Sequence, residues 1–162
     1  MFILLPCYNE ERNIKELIFR ISRACQNLDY KIVAVDDGST DETYNRLCDL
    51  SKTYPVVVLR HKENMGLHEA LRTLLIYAYR TAGNSDFLIT MDSDLTHDPK
   101  YIPQLISACI EEEADVAIAS RFVEGGRQIG VPFHRAFLSR GLRFFVKIML
   151  GIPVRDVSSG YR

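Results

Sequence analysis

The stretch Phe87-Leu88-Ile89-Thr90-Met91 is an apolar run that ends in the acidic tripeptide Asp92-Ser93-Asp94. A short run of this kind favours a buried strand, and in an extended chain residues i and i+2 project to the same side. Both carboxylates would then point from the strand's carboxyl end toward one place. Oxygen ligands of this kind suit Mg²⁺ or Mn²⁺, which leave positions for water and phosphate oxygens. A solvated acidic turn is the alternative interpretation.

Other apolar runs alternate with amphipathic patterns along the chain. The predicted strands are residues 2–5, 31–35, 56–60, 87–91 and 116–120. Apolar residues at helical spacing predict four helices, within residues 14–25, 44–48, 67–78 and 102–110. This alternation predicts an α/β fold, a mostly parallel sheet flanked by helices in a three-layer sandwich.

The composition bounds the class of protein. A chain of 162 residues with 47% hydrophobic content predicts one globular domain over residues 1–162. Residues 122–162 hold seven Lys or Arg against two Asp or Glu, a net charge of +5, but show no nucleic-acid-binding signature. The four cysteines are scattered, which favours a reducing compartment. No leader or spanning run is evident, so we expect a cytoplasmic protein, at most peripheral to a membrane.

Polar residues follow the predicted strands where ligands collect in parallel sheets, at the carboxyl ends. They form three acidic segments, residues 6–11, 36–41 and 92–98, and the fifth strand is followed by Arg121. Adjacent Asp36 and Asp37 suit recognition of a base or ribose, although Gly38 to Asp41 also fit a turn and helix cap. Arg121 fits a diphosphate clamp. These segments predict one shared site.

Two histidines and one basic segment are further features of the sequence. His97, three residues beyond Asp94, is a candidate for a place near the metal or behind its ligands. His68 fits a surface position on the third helix. Residues 133–150 mix aromatic and basic side chains, which suits either an ordinary amphipathic helix or a helix in a membrane interface.

Taken together, these segments resemble the family 2, GT-A-fold glycosyltransferases, and especially their polyprenyl-phosphate, dolichol-phosphate mannose synthase-like branch. The resemblance is carried by residues 5–11, 35–41, 91–97, 119–122, 125–126 and 156–162, in order along the chain. It implies a GT-A, Rossmann-like fold and a hexosyltransferase. Members continue beyond the point where this chain ends, so we expect a catalytic domain truncated at its carboxyl end.

The resemblance also implies roles for individual residues. Nucleotide-sugar contacts fall to Pro6, Tyr8, Glu10, Asp36, Asp37, Asp92, Ser93 and Asp94, and metal contacts to Asp92, Asp94 and Thr96, the last standing where the branch often has Gln. Asp94 and Arg121 would be catalytic. Arg121, Arg135 and Arg162 would contact the acceptor phosphate. His68 stands where the branch commonly has a small residue.

The expected reaction is an inverting transfer of a mannose- or glucose-type hexose. The donor would be a GDP- or UDP-linked sugar, the cofactor Mg²⁺ or Mn²⁺, and the acceptor a polyprenyl or dolichyl phosphate at the cytosolic face of a membrane. Three alternatives stay open at this point: a saccharide acceptor, a nucleotide-sugar-binding module without turnover, and a haloacid-dehalogenase-like phosphatase. The last is suggested because Asp92-Ser93-Asp94-Leu95-Thr96 also fits that family's nucleophile loop.

Overall fold

The computed structural model describes residues 1–120 and 159–162. Four strands form a parallel sheet in the order β3-β2-β1-β4. They are β1 (Phe2–Cys7), β2 (Lys31–Asp36), β3 (Val56–Arg60) and β4 (Leu88–Thr90). The sheet confirms the predicted α/β class, and four of the five predicted strands are present.

All four predicted helices form. They are α1 (Ile14–Ala24), α2 (Thr43–Leu50), α3 (Leu67–Thr81) and α4 (Ile102–Glu111), and a 3₁₀ turn, Pro99–Tyr101, leads into α4. The side chain of Asp98 accepts the backbone N–H of Lys100 at the start of that turn. Among the described residues, no helix has the length and apolar character needed to cross a membrane.

Strand alternation divides the apolar side chains of the sheet between two cores. Ile3, Leu5 and Cys7 of β1 face one side, where they share a core with residues of α1, α2 and α4. Phe2 and Leu4 face the other side, where Ala70, Leu74 and Ala78 of α3 cover them. Helices therefore lie on both faces, which confirms the three layers expected from the continuous apolar strands.

The prediction of a fifth strand over residues 116–120 is wrong, because these residues form no strand. The edge of β4 is taken instead by the last residues of the chain. Thr90 and Arg162 exchange backbone hydrogen bonds of 2.8 and 3.2 Å, the pattern of an antiparallel pair. Ala119 in turn donates its N–H to Tyr161 O at 3.0 Å. The segment 116–120 thus meets residues 159–162 rather than β4.

Neighbouring leucines on α3 provide a matched test of this core. We expect Leu74→Ala to lower the free energy of unfolding by about 2 to 5 kcal/mol, because Leu74 is fully buried and its truncation leaves a cavity. Leu75 is 47% exposed, so Leu75→Ala should cost less than about 1 kcal/mol. Urea unfolding of both variants measures the difference, and equal losses would contradict the assignment of faces.

Candidate functional site

The carboxyl end of β1 joins two acidic segments at one edge of the sheet. Asp37 donates its backbone N–H to Cys7 O at 2.8 Å. On the other side, Ser93 donates its hydroxyl to Pro6 O at 2.8 Å, and its oxygen lies 3.2 Å from Cys7 Sγ. The segments after β2 and β4 therefore lie on either side of β1.

The tripeptide Asp92-Ser93-Asp94 forms a bend just after β4. Ser93 is only 3% exposed and points down to β1, whereas the Asp92 side chain is 44% exposed and Asp94 is exposed. Exposure therefore alternates along the tripeptide, with the serine covered and both aspartates accessible. Ser93, which the resemblance assigns to the nucleotide sugar, has its hydroxyl engaged with Pro6 O.

Asp94 is held in a tight local turn. Its Oδ1 accepts the backbone N–H of Thr96 at 3.0 Å and the Thr96 hydroxyl at 2.6 Å. Leu95 between them has φ of 66°, the left-handed region that few apolar residues adopt. The turn places the Thr96 hydroxyl oxygen beside Asp94, so the two residues predicted to share a metal are neighbours.

His97 lies behind the acidic bend. Its Nδ1 accepts the backbone N–H of Asp92 at 3.0 Å, so the neutral ring carries its proton on Nε2. Nε2 lies 3.5 Å from Asp92 Oδ2. One face of the ring stacks on Tyr161, with centroids 5.2 Å apart. His97 thus contacts Asp92 twice, through its main chain and through its carboxylate.

The last residues of the chain close over the same bend. Tyr161 donates its hydroxyl to Asp98 O at 3.0 Å, and Gly160 O accepts the Thr90 hydroxyl at 2.7 Å. A Cβ on Gly160 would lie 3.1 Å from Asp92 Oδ1 and 3.5 Å from His97 Cε1. The approach of this segment to Asp92 therefore leaves little room for a side chain at position 160.

Asp36 and Asp37, by contrast, are both buried. Asp36 Oδ1 accepts the Ser39 N–H at 3.3 Å, and Oδ2 lies 3.2 Å from Arg60 Nε without the alignment of a hydrogen bond. The Arg60 guanidinium in turn lies 4.1 Å from the centroid of the Tyr44 ring. The negative charge of Asp36 is therefore compensated mainly by the guanidinium of Arg60, the last residue of β3.

Asp37 organises the loop after β3. Its Oδ1 accepts the Met65 N–H at 3.0 Å and lies 2.6 Å from His61 Nδ1, while its Oδ2 accepts the Gly66 N–H at 2.8 Å. Both oxygens thus have partners at the start of α3. The Asp37 carboxylate thus accepts the two N–H groups that immediately precede α3, which begins at Leu67.

Gly38 lets that loop approach. Its φ is 66°, and a Cβ there would lie 2.3 Å from the carbonyl carbon of Glu63 and 2.6 Å from the nitrogen of Asn64. A glycine is therefore required at position 38 for two reasons, its left-handed backbone conformation and the close contact with the backbone of residues 63 and 64.

Side chains and backbone groups also join the loops after β1 and β2. Asn9 and Glu10 donate their N–H groups to Ser39 Oγ and Thr43 Oγ1, at 3.0 and 2.8 Å. Asp41 accepts from the backbone of Glu11 and Thr43. Burial raises the pKa of Asp41, but hydrogen bonds from Thr43 and Glu11 outweigh it and hold that pKa below its usual range. Tyr8 and Glu10, which are predicted nucleotide contacts, lie in the loop after β1, and Tyr8 is exposed.

Cys7 lies between the acidic segments and stays a neutral thiol. Burial is the main cause that raises its pKa to about 12, and the charges of Asp36 and Glu10 add to it against the Ser93 hydrogen bond. The four cysteines are free thiols, of which Cys7 and Cys25 are buried and Cys48 and Cys109 partly exposed.

Some predicted site residues lie apart from the bend or outside the described residues. Arg162 lies beside Thr90, and its guanidinium donates to Ser159 O at 2.9 Å. His68 is exposed on α3, as predicted. Arg121 and Arg135 fall outside the described residues. The sequence analysis did not predict a role for His61, although its position directly after β3 could have indicated one. The ring contact between Tyr161 and His97 was not predicted either.

The carboxylates of Asp92 and Asp94 suit a hard divalent cation that also binds water and substrate phosphate. Within residues 1–120 and 159–162, no cluster of three His, Cys, Asp or Glu side chains is arranged to hold a metal. Two accessible carboxylates, Asp92 and Asp94, are what a Mg²⁺ or Mn²⁺ ion needs when water and substrate phosphate complete its shell. A structural zinc site, with four protein ligands, does not match this set.

Comparison with known proteins places the chain among sugar transferases. The model of glycosyl transferase family 2 matches residues 2–162. Dolichol-phosphate mannosyltransferase of Pyrococcus furiosus is 41% identical over 155 residues, 96% of this chain and 42% of that protein. Polyprenol monophosphomannose synthase of Mycolicibacterium smegmatis is 32% identical, over 99% of this chain and 59% of that protein. The chain thus spans about half the length of these relatives.

Solved structures agree in fold. Glucosyl-3-phosphoglycerate synthase of Mycobacterium tuberculosis superposes with a TM-score of 0.60 over 99% of this chain and 54% of its own, at 23% identity. The same synthase in complex with Mn²⁺, UDP-glucose and glycerol 3-phosphate gives a TM-score of 0.51 at 26% identity, over 69% of this chain and 40% of that one. The predicted GT-A fold is confirmed.

Substitution of Gly38 tests the contact between the two loops. We expect Gly38→Ala to lower the free energy of unfolding by more than about 2 kcal/mol, because the new methyl meets backbone atoms and φ is left-handed. Gly83→Ala is the control, since its Cβ would lie 3.7 Å from the nearest atom, and it should change stability by less than about 1 kcal/mol. Similar stability of both variants in urea would refute the tight contact.

Proposed function

This chain belongs to glycosyl transferase family 2, and from that premise we propose that it is the donor-binding part of an inverting, metal-dependent hexosyltransferase. The donor is a nucleotide diphosphate sugar of the mannose or glucose type, and the acceptor is a polyprenyl phosphate. The acceptor class comes from the names of the two curated relatives, a dolichol-phosphate mannosyltransferase and a polyprenol monophosphomannose synthase.

The observation that carries this proposal is the division of the four aspartates at the sheet edge. Asp36 and Asp37 are buried and engaged by protein groups. Asp92 and Asp94, across β1 from them, stay accessible. A ligand that spans this edge would contact the hydrogen-bonded loops of Tyr8 and Ser39 at one end and the accessible carboxylates of Asp92 and Asp94 at the other. A nucleoside diphosphate with a bound metal ion has groups that suit both ends.

Asp92 and Asp94 would hold the Mg²⁺ or Mn²⁺ ion, with the Thr96 hydroxyl oxygen beside them. When bound, the ion supplies positive charge that stabilises the leaving diphosphate. The Mn²⁺ complex of the structurally similar synthase supports a divalent ion in this fold. His97 accepts the backbone N–H of Asp92, and its Nε2 lies 3.5 Å from Asp92 Oδ2, so the ring would help to orient that carboxylate.

The transfer needs little acid–base chemistry from the protein. A phosphate monoester acceptor arrives as an anion, and one of its oxygens forms the new bond to the anomeric carbon. The bond from that carbon to the donor diphosphate breaks, and the nucleoside diphosphate leaves with the electron pair. Attack opposite the leaving group inverts the anomeric centre. Arg121 and Arg135 are proposed to contact the phosphates, and a peripheral position at the cytosolic face of a membrane would bring the lipid acceptor to them.

Calorimetric titration of GDP, UDP and their hexose conjugates, with and without Mn²⁺, tests the donor site. We expect one nucleotide class to bind only with Mn²⁺, and Asp92→Asn and Asp94→Asn each to weaken that binding by about tenfold or more, because each removes a charged ligand. Asp29→Asn is the matched control, since Asp29 is an exposed acid at the opposite edge, before β2.

Binding that survives both substitutions unchanged would reject the assigned metal ligands. Binding of no nucleotide by the folded chain would reject the donor site. Transfer of sugar from the matching donor to a saccharide, with none to a polyprenyl phosphate, would correct the acceptor class alone.

Substitution of Gly160 tests whether the end of the chain shapes the metal site. A methyl at this position displaces the Asp92 carboxylate by a few tenths of an ångström, because Oδ1 would lie only 3.1 Å away. We expect Gly160→Ala to weaken Mn²⁺-dependent nucleotide binding by about three- to tenfold while unfolding stays within about 1 kcal/mol of the unmodified chain. Unchanged Mn²⁺ affinity would show that the carboxylate can move freely.

A further inference from the structure

His61 links the end of β2 to helix α3 through both of its ring nitrogens. Nδ1 lies 2.6 Å from Asp37 Oδ1, and Nε2 lies 2.9 Å from the hydroxyl oxygen of Thr73. The side chain is only 11% exposed. The ring is therefore held between a carboxylate that follows β2 and a hydroxyl in the second turn of α3.

The Asp37 carboxylate fixes the direction of its hydrogen bond with His61, and the direction of the contact with Thr73 then follows for a neutral ring. An ionised carboxylate only accepts, so Nδ1 must carry a proton and donate it. In the neutral ring Nε2 then accepts from the Thr73 hydroxyl. Asp37 consequently receives a donor from His61 in addition to the N–H groups of Met65 and Gly66.

This arrangement fixes the loop of residues 61–66 from two sides. Asp37 holds its far end through Met65 and Gly66, and Gly38 receives the backbone of Glu63 and Asn64 in close contact. Without the His61 donor, Oδ1 of a buried carboxylate would keep the Met65 N–H as its one protein donor. A buried charge that loses a donor reorients or draws in water, and the loop moves with it.

We propose that His61 is a positioning residue for nucleotide binding: it orients Asp37 and thereby sets the loop 61–66 at the edge where the nucleotide diphosphate sugar binds. This inference rests on the proposed function. The loop starts at the carboxyl end of β3, next to the Asp36 to Ser39 segment, so a change in its position alters the wall of the nucleotide site. The imidazole acts through Asp37 and touches no reacting atom.

Two substitutions separate positioning from simple packing. His61→Asn places an amide nitrogen near Nδ1 and keeps a donor for Asp37, whereas His61→Gln reaches toward Nε2 and keeps a partner for Thr73. Both remove the ring, so a purely structural role would affect them alike. Titration of GDP and UDP with Mn²⁺ should show binding about tenfold weaker in His61→Gln and less than about threefold weaker in His61→Asn. Amide hydrogen exchange at Met65 and Gly66 should quicken in the Gln variant alone.

The outcomes distinguish this inference from the proposed function. Equal weakening in both variants, or none in either, while the unmodified chain binds nucleotide, overturns the positioning role and leaves the function standing. An unmodified chain that binds neither nucleotide overturns the function, and with it the positioning role. If His61→Gln fails to fold, His61→Asn decides alone: binding within about threefold of the unmodified chain supports the positioning role, and binding about tenfold weaker or more overturns it.

Discussion

The carbonyl oxygens of Pro6 and Cys7, at the end of β1, are the point on which the candidate site depends. One accepts the Ser93 hydroxyl and the other accepts the Asp37 N–H. β1 is the strand between β2 and β4, so its carboxyl end is the one place from which both acidic segments can be reached. These two bonds convert acids that are far apart in sequence into neighbours at one edge.

Four aspartates lie at this edge of the sheet, and the two that are buried need partners within the protein because an unpaired buried charge is costly. Asp36 is compensated by Arg60, and Asp37 by backbone donors and His61. Arg60 ends β3, and the groups that bind Asp37 lie in the chain immediately after it. Asp92 and Asp94 keep their access to solvent. The like charge that remains at the bend is what favours a cation there.

The sequence predicts most of the sheet and all four helices because buried strands are short apolar runs, whereas the helices have apolar residues at helical spacing. It fails for residues 116–120, since an apolar run does not reveal that residues 159–162 occupy the edge of β4. The sequence also shows that Asp36 and Asp37 follow a strand, but not that both are buried. Whether an aspartate faces a ligand or a helix end depends on groups such as Met65 and Gly66, whose approach is a property of the folded chain.

The end of the chain gives the bend after β4 a second support that local sequence could not predict. Tyr161 stacks on His97 and bonds to Asp98 O, so it contacts the bend beyond the tripeptide, while Gly160 lies against Asp92. The orientation of Asp92 therefore depends on residues more than sixty positions away. Arg162 pairs with Thr90 in the same short segment, so the backbone next to Gly160 and Tyr161 is fixed to β4. The geometry of the proposed metal site is thus set from outside its own loop.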